Sequence, residues 1–418
     1  MRGILGLIGC CLMLAGNLCA AEALDWAFIG VWDRSMPQVE AACRENGIHA
    51  EFFKGQKFNE TQKAELAARF RLVFVLNLEA EQAPALTQRL KESRALNAEQ
   101  RVIPLDTRGS QMDLEKAGLL LKDEAVPAYW RPNGTVNVRR LIRYGMVKYC
   151  GQPGEIEPPV LIPDSGYYDP AREDAFAEIG EFIAFKRGKQ RWIEGASVAV
   201  LLLQQSFWIT HDLRVIDAQI AALEKRGLNV VPVFGDREEN VTKLTRAAAP
   251  TILIEDRHGA MWQSTALLKE LDAPYLRPIS MLATTNEEWL KDPRGLSHRD
   301  VGMFMALQES WGTLEPVVVG GLKENIQGFR LHEPIPDRIE AFAARAARWA
   351  SLKRKSNAEK NIALIYYNKG LGQDDLMRGS PTGGFLDAPE SFMRFLPRMK
   401  EAGFTLKNTP ASTAALIE

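Results

Sequence analysis

SVAVLLLQQSFWITHDLRVIDAQIAALEKRGLNVVPVFG (Ser197–Gly235) decides the fold. Ser197–Gln204 is an almost unbroken aliphatic run, the pattern of a strand buried on both faces. Asp212–Arg226 then places apolar residues at helical spacing, and Gly227 stops it. LNVVPVFG reads as the next strand, and PTILIED (Pro250–Asp256) as another. Strand, helix and strand at this spacing imply a parallel sheet covered by helices. The fold class read from the chain is α/β, multidomain, with parallel-sheet Rossmann-like or flavodoxin-like units, the last one truncated.

Upstream the same alternation recurs. WAFIGVW (Trp26–Trp32), HAEFF, LVFVLNL (Leu72–Leu78) and RVIPLD read as strands. Gln38–Glu45, Thr61–Phe70 and Pro84–Leu96 read as the intervening helices. Residues 24–110 are assigned to a first α/β unit and 111–170 to a helical, Pro/Gly-rich connector ending in GQPGEIEPPVLIPDSGYYDP. A second α/β unit spans 171–335. A linker helix over 336–358 opens at Pro336 and Asp337, with Ile339, Phe342, Ala346 and Trp349 at helical spacing. A third unit, 359–418, has one strand (NIALIYYN), a glycine-rich loop and one helix. A lone strand cannot bury both faces, so this domain is expected to be incomplete.

Composition narrows the function. Lys+Arg total 52 against 53 Asp+Glu, so the chain offers no net basic surface for nucleic acid. Residues 1–23 carry one early charge, Arg2, then an apolar run from Ile4 to Ala15 and an Ala21-Glu22-Ala23 pattern. They read as a signal peptide, with an uncleaved membrane anchor as the alternative. The expected location is exported, periplasmic or membrane-associated. Three of five cysteines lie in that leader; Cys43 and Cys150 are either a disulfide or two thiols, and no spacing resembles a zinc site. The loop after NIALIYYN has no Walker A string. Gly370 and Gly372 begin a dinucleotide fingerprint, but Asp375 stands at the third glycine, and Asp374 and Asp375 would repel a pyrophosphate. No nucleotide-binding motif is present. Arg378–Gly384 is either an anion cradle or a plain surface loop.

Four stretches, in order, resemble the large subunit of cobaltochelatase (CobN) and its relative, the large subunit of magnesium chelatase. They are GYYDP (Gly166–Pro170), Val198–Gly235, WLKDPRGLSHRDVGMFMALQESWGTLEPVVVGG, and NIALIYYNKG with the following GGFLDAPESFMRFLPRMKEAGF. The chain departs from the family in having Leu307-Gln308-Glu309 for its Leu-Pro-Glu element, followed by Ser310 and Trp311. The resemblance implies the N-terminal part of a metal chelatase large subunit, with a tetrapyrrole and a divalent metal as substrates and with separate ATPase subunits as partners. With the missing domains such a protein would be an enzyme forming nitrogen–metal bonds. The leader favours an exported branch in which haem or metal is released during uptake, with membrane uptake machinery as partner. The alternative is an exported two-lobed small-ligand binding protein without catalysis.

Metal insertion or removal takes a base for the pyrrole N–H protons and an apolar slot for the ring. His211 and His258 follow strands, and Glu309 lies in the family-like element; these are the catalytic candidates. Their other readings are a surface or capping histidine beside the good N-cap Asp212, a turn residue, and a structural glutamate. Trp208, Trp311 and Arg378 are the candidate ligand-binding residues, with Trp262 a further ring-stacking candidate.

Overall fold

A computed structural model describes residues 24–54, 59–78, 81–94, 99–106, 112–257, 265–325, 328–364 and 388–417. The expected signal peptide over residues 1–23, His258, Trp262, Arg378 and the glycine-rich loop lie outside these described residues. Two compact units are present, each with its own sheet.

The first sheet is wholly parallel. Its strands are β1 (Leu24–Ile29), β2 (Ile48–Phe53), β3 (Leu72–Val75) and β4 (Arg101–Pro104), in the order β2-β1-β3-β4. Side chains alternate between two cores. Trp26, Phe28, Leu72 and Phe74 enter one, and Ala27, Ile29, Val73 and Val75 the other. Both faces are therefore buried, which is why these strands read as unbroken apolar runs. Helix Glu60–Arg69 begins with a capping box, in which Asn59 accepts from the Gln62 N–H and the Gln62 side chain accepts from the Asn59 N–H. Helix Gly134–Cys150 covers the first face with Val138, Leu141 and Ile142. It sits so close that a Cβ at Gly145 would lie 2.8 Å from the Trp26 ring. Cys43 and Cys150 are free thiols, Cys43 buried and Cys150 half-buried, and burial raises the pKa of both.

The second sheet has seven strands in the order β11-β10-β9-β8-β6-β7-β5. They are β5 (Ser165–Tyr167), β6 (Val198–Leu203), β7 (Asn229–Gly235), β8 (Ile252–Glu255), β9 (Tyr275–Thr285), β10 (Leu314–Glu324) and β11 (Arg330–Pro334). Strands β6 to β10 are parallel, but β5 and β11 run antiparallel at the two edges. The sheet is thus mixed, which corrects the expectation of parallel sheets throughout. GYYDP, read as part of a connector, supplies the edge strand β5 and then Asp169. This aspartate is fully buried and joins Lys186, Arg191 and Glu224 in an ionic cluster that ties β5 to the neighbouring helices. Helix Pro336–Arg354 buries Ile339, Phe342, Ala343 and Ala346 against β10 and helix Arg214–Lys225.

Strand order reverses between β6 and β8, whose successors β7 and β9 lie on opposite sides. In an open α/β sheet the carboxyl ends at such a reversal are where the connections part and a ligand crevice can form. The same reversal occurs between β1 and β3 in the first sheet.

Candidate functional site

At the carboxyl end of β8, beside the amino-terminal part of β9, the second unit buries an unusual concentration of charge. Glu255, Asp256, Arg257 and Arg277 are all less than 5% exposed. Charges seldom enter an interior unless paired, because desolvation costs several kcal/mol per ion. Here each has partners.

Glu255 ends β8. Its carboxylate accepts from Arg257 Nε at 2.8 Å and Nη2 at 2.7 Å, and from the Tyr275 hydroxyl at 2.7 Å. Burial works against its charge, but Arg257, Arg277 and Tyr275 together hold Glu255 below the usual carboxylate range. The same surroundings push the Tyr275 hydroxyl well up, burial first and the Glu255 charge second. Arg277, inside β9, donates from Nη1 to the carbonyls of Glu255 at 2.6 Å and Arg257 at 2.9 Å. Its guanidinium lies 5.1 Å from the Phe304 ring centre, and burial draws its pKa down. Phe304 arrives on Val301–Ala306, a stretch wound as a π-helix. Such windings are rare and cluster at functional sites.

Asp256 is held differently. One carboxylate oxygen accepts from Gln219 Nε2 at 2.6 Å and from the Ser280 hydroxyl at 3.1 Å. Both of these donors are neutral. Burial pushes Asp256 up to about 6, against the opposing pull of Arg277, Gln219, Ser280 and His332.

Asp212 and His332 complete the cluster. Asp212 Oδ1 accepts from the His332 backbone N–H at 3.0 Å, and Oδ2 from Nδ1 at 2.6 Å. A carboxylate only accepts, so Nδ1 carries the proton. The Phe207 ring stands edge-on to the imidazole at 4.9 Å. Asp212, a natural N-cap by sequence, does not cap the following helix. The capping position of Arg214–Lys225 is Leu213, with no side-chain cap bond, because both Asp212 oxygens are committed to His332.

The described residues singled out from the sequence are not members of this cluster. His211 is exposed and left-handed, with φ 56°. Trp208 is 9% exposed and stacks on Phe234 at 4.2 Å and 9°, so that indole face is occupied by the protein itself. Glu309 is exposed in the short helix Leu307–Glu309, just beyond the π-helical stretch. Trp311 is half-buried, its backbone N–H donating to the Gln308 carbonyl. Asp212, Asp256, Arg277 and His332 were not predicted. Their one local signal is that Glu255-Asp256-Arg257 and Arg277 interrupt or end runs otherwise fit for a core. Among the described residues no group of three His, Cys, Asp or Glu is placed to hold a metal ion. Nor is any described helix long and apolar enough to cross a membrane.

A family model for CobN/Magnesium Chelatase matches residues 127–418, which include every strand of the second sheet. The chain belongs to the CobN/magnesium chelatase family. The magnesium-chelatase subunit ChlH of Oryza sativa subsp. indica is 26% identical over 317 residues, covering 69% of this chain and 22% of the relative. The aerobic cobaltochelatase subunit CobN of Pseudomonas aeruginosa is 26% identical over 305 residues, with 69% and 23% coverage. An aerobic cobaltochelatase subunit CobN from Sinorhizobium sp. is 28% identical over 224 residues, with 49% and 17% coverage. The chain therefore spans less than a third of the length of these relatives. Among solved structures, the catalytic subunit of cobaltochelatase from Mycobacterium tuberculosis superposes with a TM-score of 0.66 at 16% identity, over 95% of this chain and 32% of that one. This likeness establishes a shared fold.

Proposed function

We propose that this chain serves the chelatase reaction of a CobN-like large subunit by helping to hold a tetrapyrrole while a metal ion is inserted or removed. The observation that carries the reading is the family match over residues 127–418, the region that builds the second sheet and its charged carboxyl edge. In this reading the units are flavodoxin-like, in keeping with the β2-β1-β3-β4 order and the matching order of β6 to β10. The buried cluster serves as a rigid floor. Arg277 pins the ends of β8 through two carbonyls, and Asp212 fixes His332 and the start of the next helix. A site needs such a locked support to hold a reacting group in place.

Glu309 and His211 are the solvent-accessible candidates for exchanging protons with pyrrole nitrogens. Nucleotide hydrolysis and the remaining macrocycle contacts belong to partner subunits and to the rest of a CobN-like assembly. Export through the leader, with haem or metal release in uptake, remains part of the proposal and rests on residues 1–23 alone. A two-lobed binding protein is not favoured, since the family match accounts for the second sheet directly.

The test is a titration of the whole chain with free-base porphyrin, haem and a corrinoid, followed in the Soret region. A saturable band shift with at least one macrocycle is expected. No shift with any of them overturns the proposal.

A further inference from the structure

We propose that Asp256 is a buried, reversible proton-binding site at the strand reversal of the second sheet, set in a cage that accepts either protonation state. The argument begins with its partners. Asp256 is 1% exposed, and the two side chains that hydrogen-bond its carboxylate are Gln219 and Ser280, 1% and 4% exposed. Both are ambivalent: an amide offers N–H donors and a carbonyl acceptor, and a hydroxyl can donate or accept. At present Gln219 donates through Nε2, which suits an ionised Asp256. Its Oε1 is buried with no hydrogen-bond partner among the described residues. An unsatisfied buried acceptor is costly. If Asp256 gains a proton, an amide flip brings Oε1 to the new O–H, so the contact survives with its direction reversed. Ser280 can turn its hydroxyl in the same way.

The charges facing Asp256 favour its ionised form, but each is engaged elsewhere, and burial opposes them. Glu255 and Arg257 flank it on its own chain and are spent on each other. Arg277 from β9 favours the ionised form, but its Nη1 is committed to two carbonyls. His332 from β11 also favours ionisation and is engaged by Asp212. Gln219 is the facing group from helix Arg214–Lys225. By contrast Glu255, one residue away, takes a bidentate arginine and has no such freedom. Burial supports the contrast, raising Asp256 to about 6 while Glu255 stays low. The inference stands apart from the tetrapyrrole reading, since it needs no ligand but the proton.

A folded-state pKa above the unfolded value means that the native protein binds the proton more tightly. Stability from this group is then full below the unfolded pKa and lost as pH rises to about 6. The test follows aspartate carboxyl carbons by NMR in the full chain between about pH 4 and 8. An aspartate signal with a midpoint near 6, absent in Asp256→Asn, is expected. A midpoint near the ordinary aspartate value overturns the proposal. Asp217 is also raised, by burial, so Asp217→Asn removes its signal and secures the assignment should Asp256→Asn fail to fold. The melting-point difference between Asp256→Asn and wild type should grow as pH rises from 4 to 6 and then level off; a constant difference also overturns it. Gln219→Leu removes a donor to the ionised form and should move the midpoint further up, whereas a structural role alone leaves it in place.

Discussion

The two sheets share a plan and differ in what they place at its reversal. Between β1 and β3 the chain closes the edge with backbone: Gly30, at φ 66°, sits where a Cβ would fall 1.7 Å from the Asn77 carbonyl oxygen. Between β6 and β8 the second sheet instead buries Glu255, Asp256 and Arg257, backed by Arg277 and His332. Among the described residues the first arrangement shows no such cluster at its reversal. A buried ionic cluster is an uncertain source of stability, since well-packed apolar residues often do as well. Among the described residues it stands at the reversal of one of two similar frames, which points to a task there beyond folding, and the family match covers that sheet and leaves the strands of the first outside.

The contrast can be broken by mutation. Arg257→Met leaves Glu255 buried without its bidentate partner, and should cost about 3–5 kcal/mol of unfolding free energy in a denaturant titration. A loss below about 1 kcal/mol would show that the cluster rearranges cheaply, and the idea of a rigid floor would fall. In the first unit the matching test is steric. Gly145→Ala drives a methyl against Trp26 and should cost about 1–3 kcal/mol, equally at all pH values because no charge is involved.

A pH series sharpens the difference further. Glu255 has its folded pKa below the unfolded value, so its contribution is present above the ordinary glutamate range and fades as pH falls through the folded pKa. The melting-point gap between wild type and Glu255→Gln should therefore narrow on acidification. A gap that widens contradicts the assignment of Glu255 as the ionised partner. The smallest effect belongs to Glu309→Gln. The side chain is exposed, so stability should change by less than about 0.5 kcal/mol by thermal melting, while macrocycle-dependent proton exchange should weaken; unchanged exchange removes Glu309 from the proposal.

Much of the fold was legible because buried parallel strands write themselves as aliphatic runs. VAVLLL, NVVPVFG and ILIE each fall where expected. The antiparallel edges were not, since β5 has three residues inside a Pro/Gly-rich stretch and β11 carries Arg330, His332 and Glu333 with no core-like run. The short helix Gln205–Thr210 was hidden by its own composition, QSFWIT, which continues the apolar pattern of β6. The family was legible from ordered motifs. The charged cluster was not, for a physical reason: Asp212 and His332 are 120 positions apart, and Asp256 meets Gln219 across 37. Sequence reasoning could see that Asp212 would accept hydrogen bonds but assigned it the nearest donors, the helix N–H groups. Trp208 looked ligand-facing because it follows a strand; Phe234, on the neighbouring β7, claims it.

Amide hydrogen exchange with and without a bound free-base porphyrin tests the central claim most directly. The account predicts added protection at the carboxyl ends of β6 and β8 and at the adjoining part of β9, around Leu203, Glu255 and Arg277, with β1 to β4 unchanged. Protection confined to the first sheet, or none at saturating porphyrin, would contradict it.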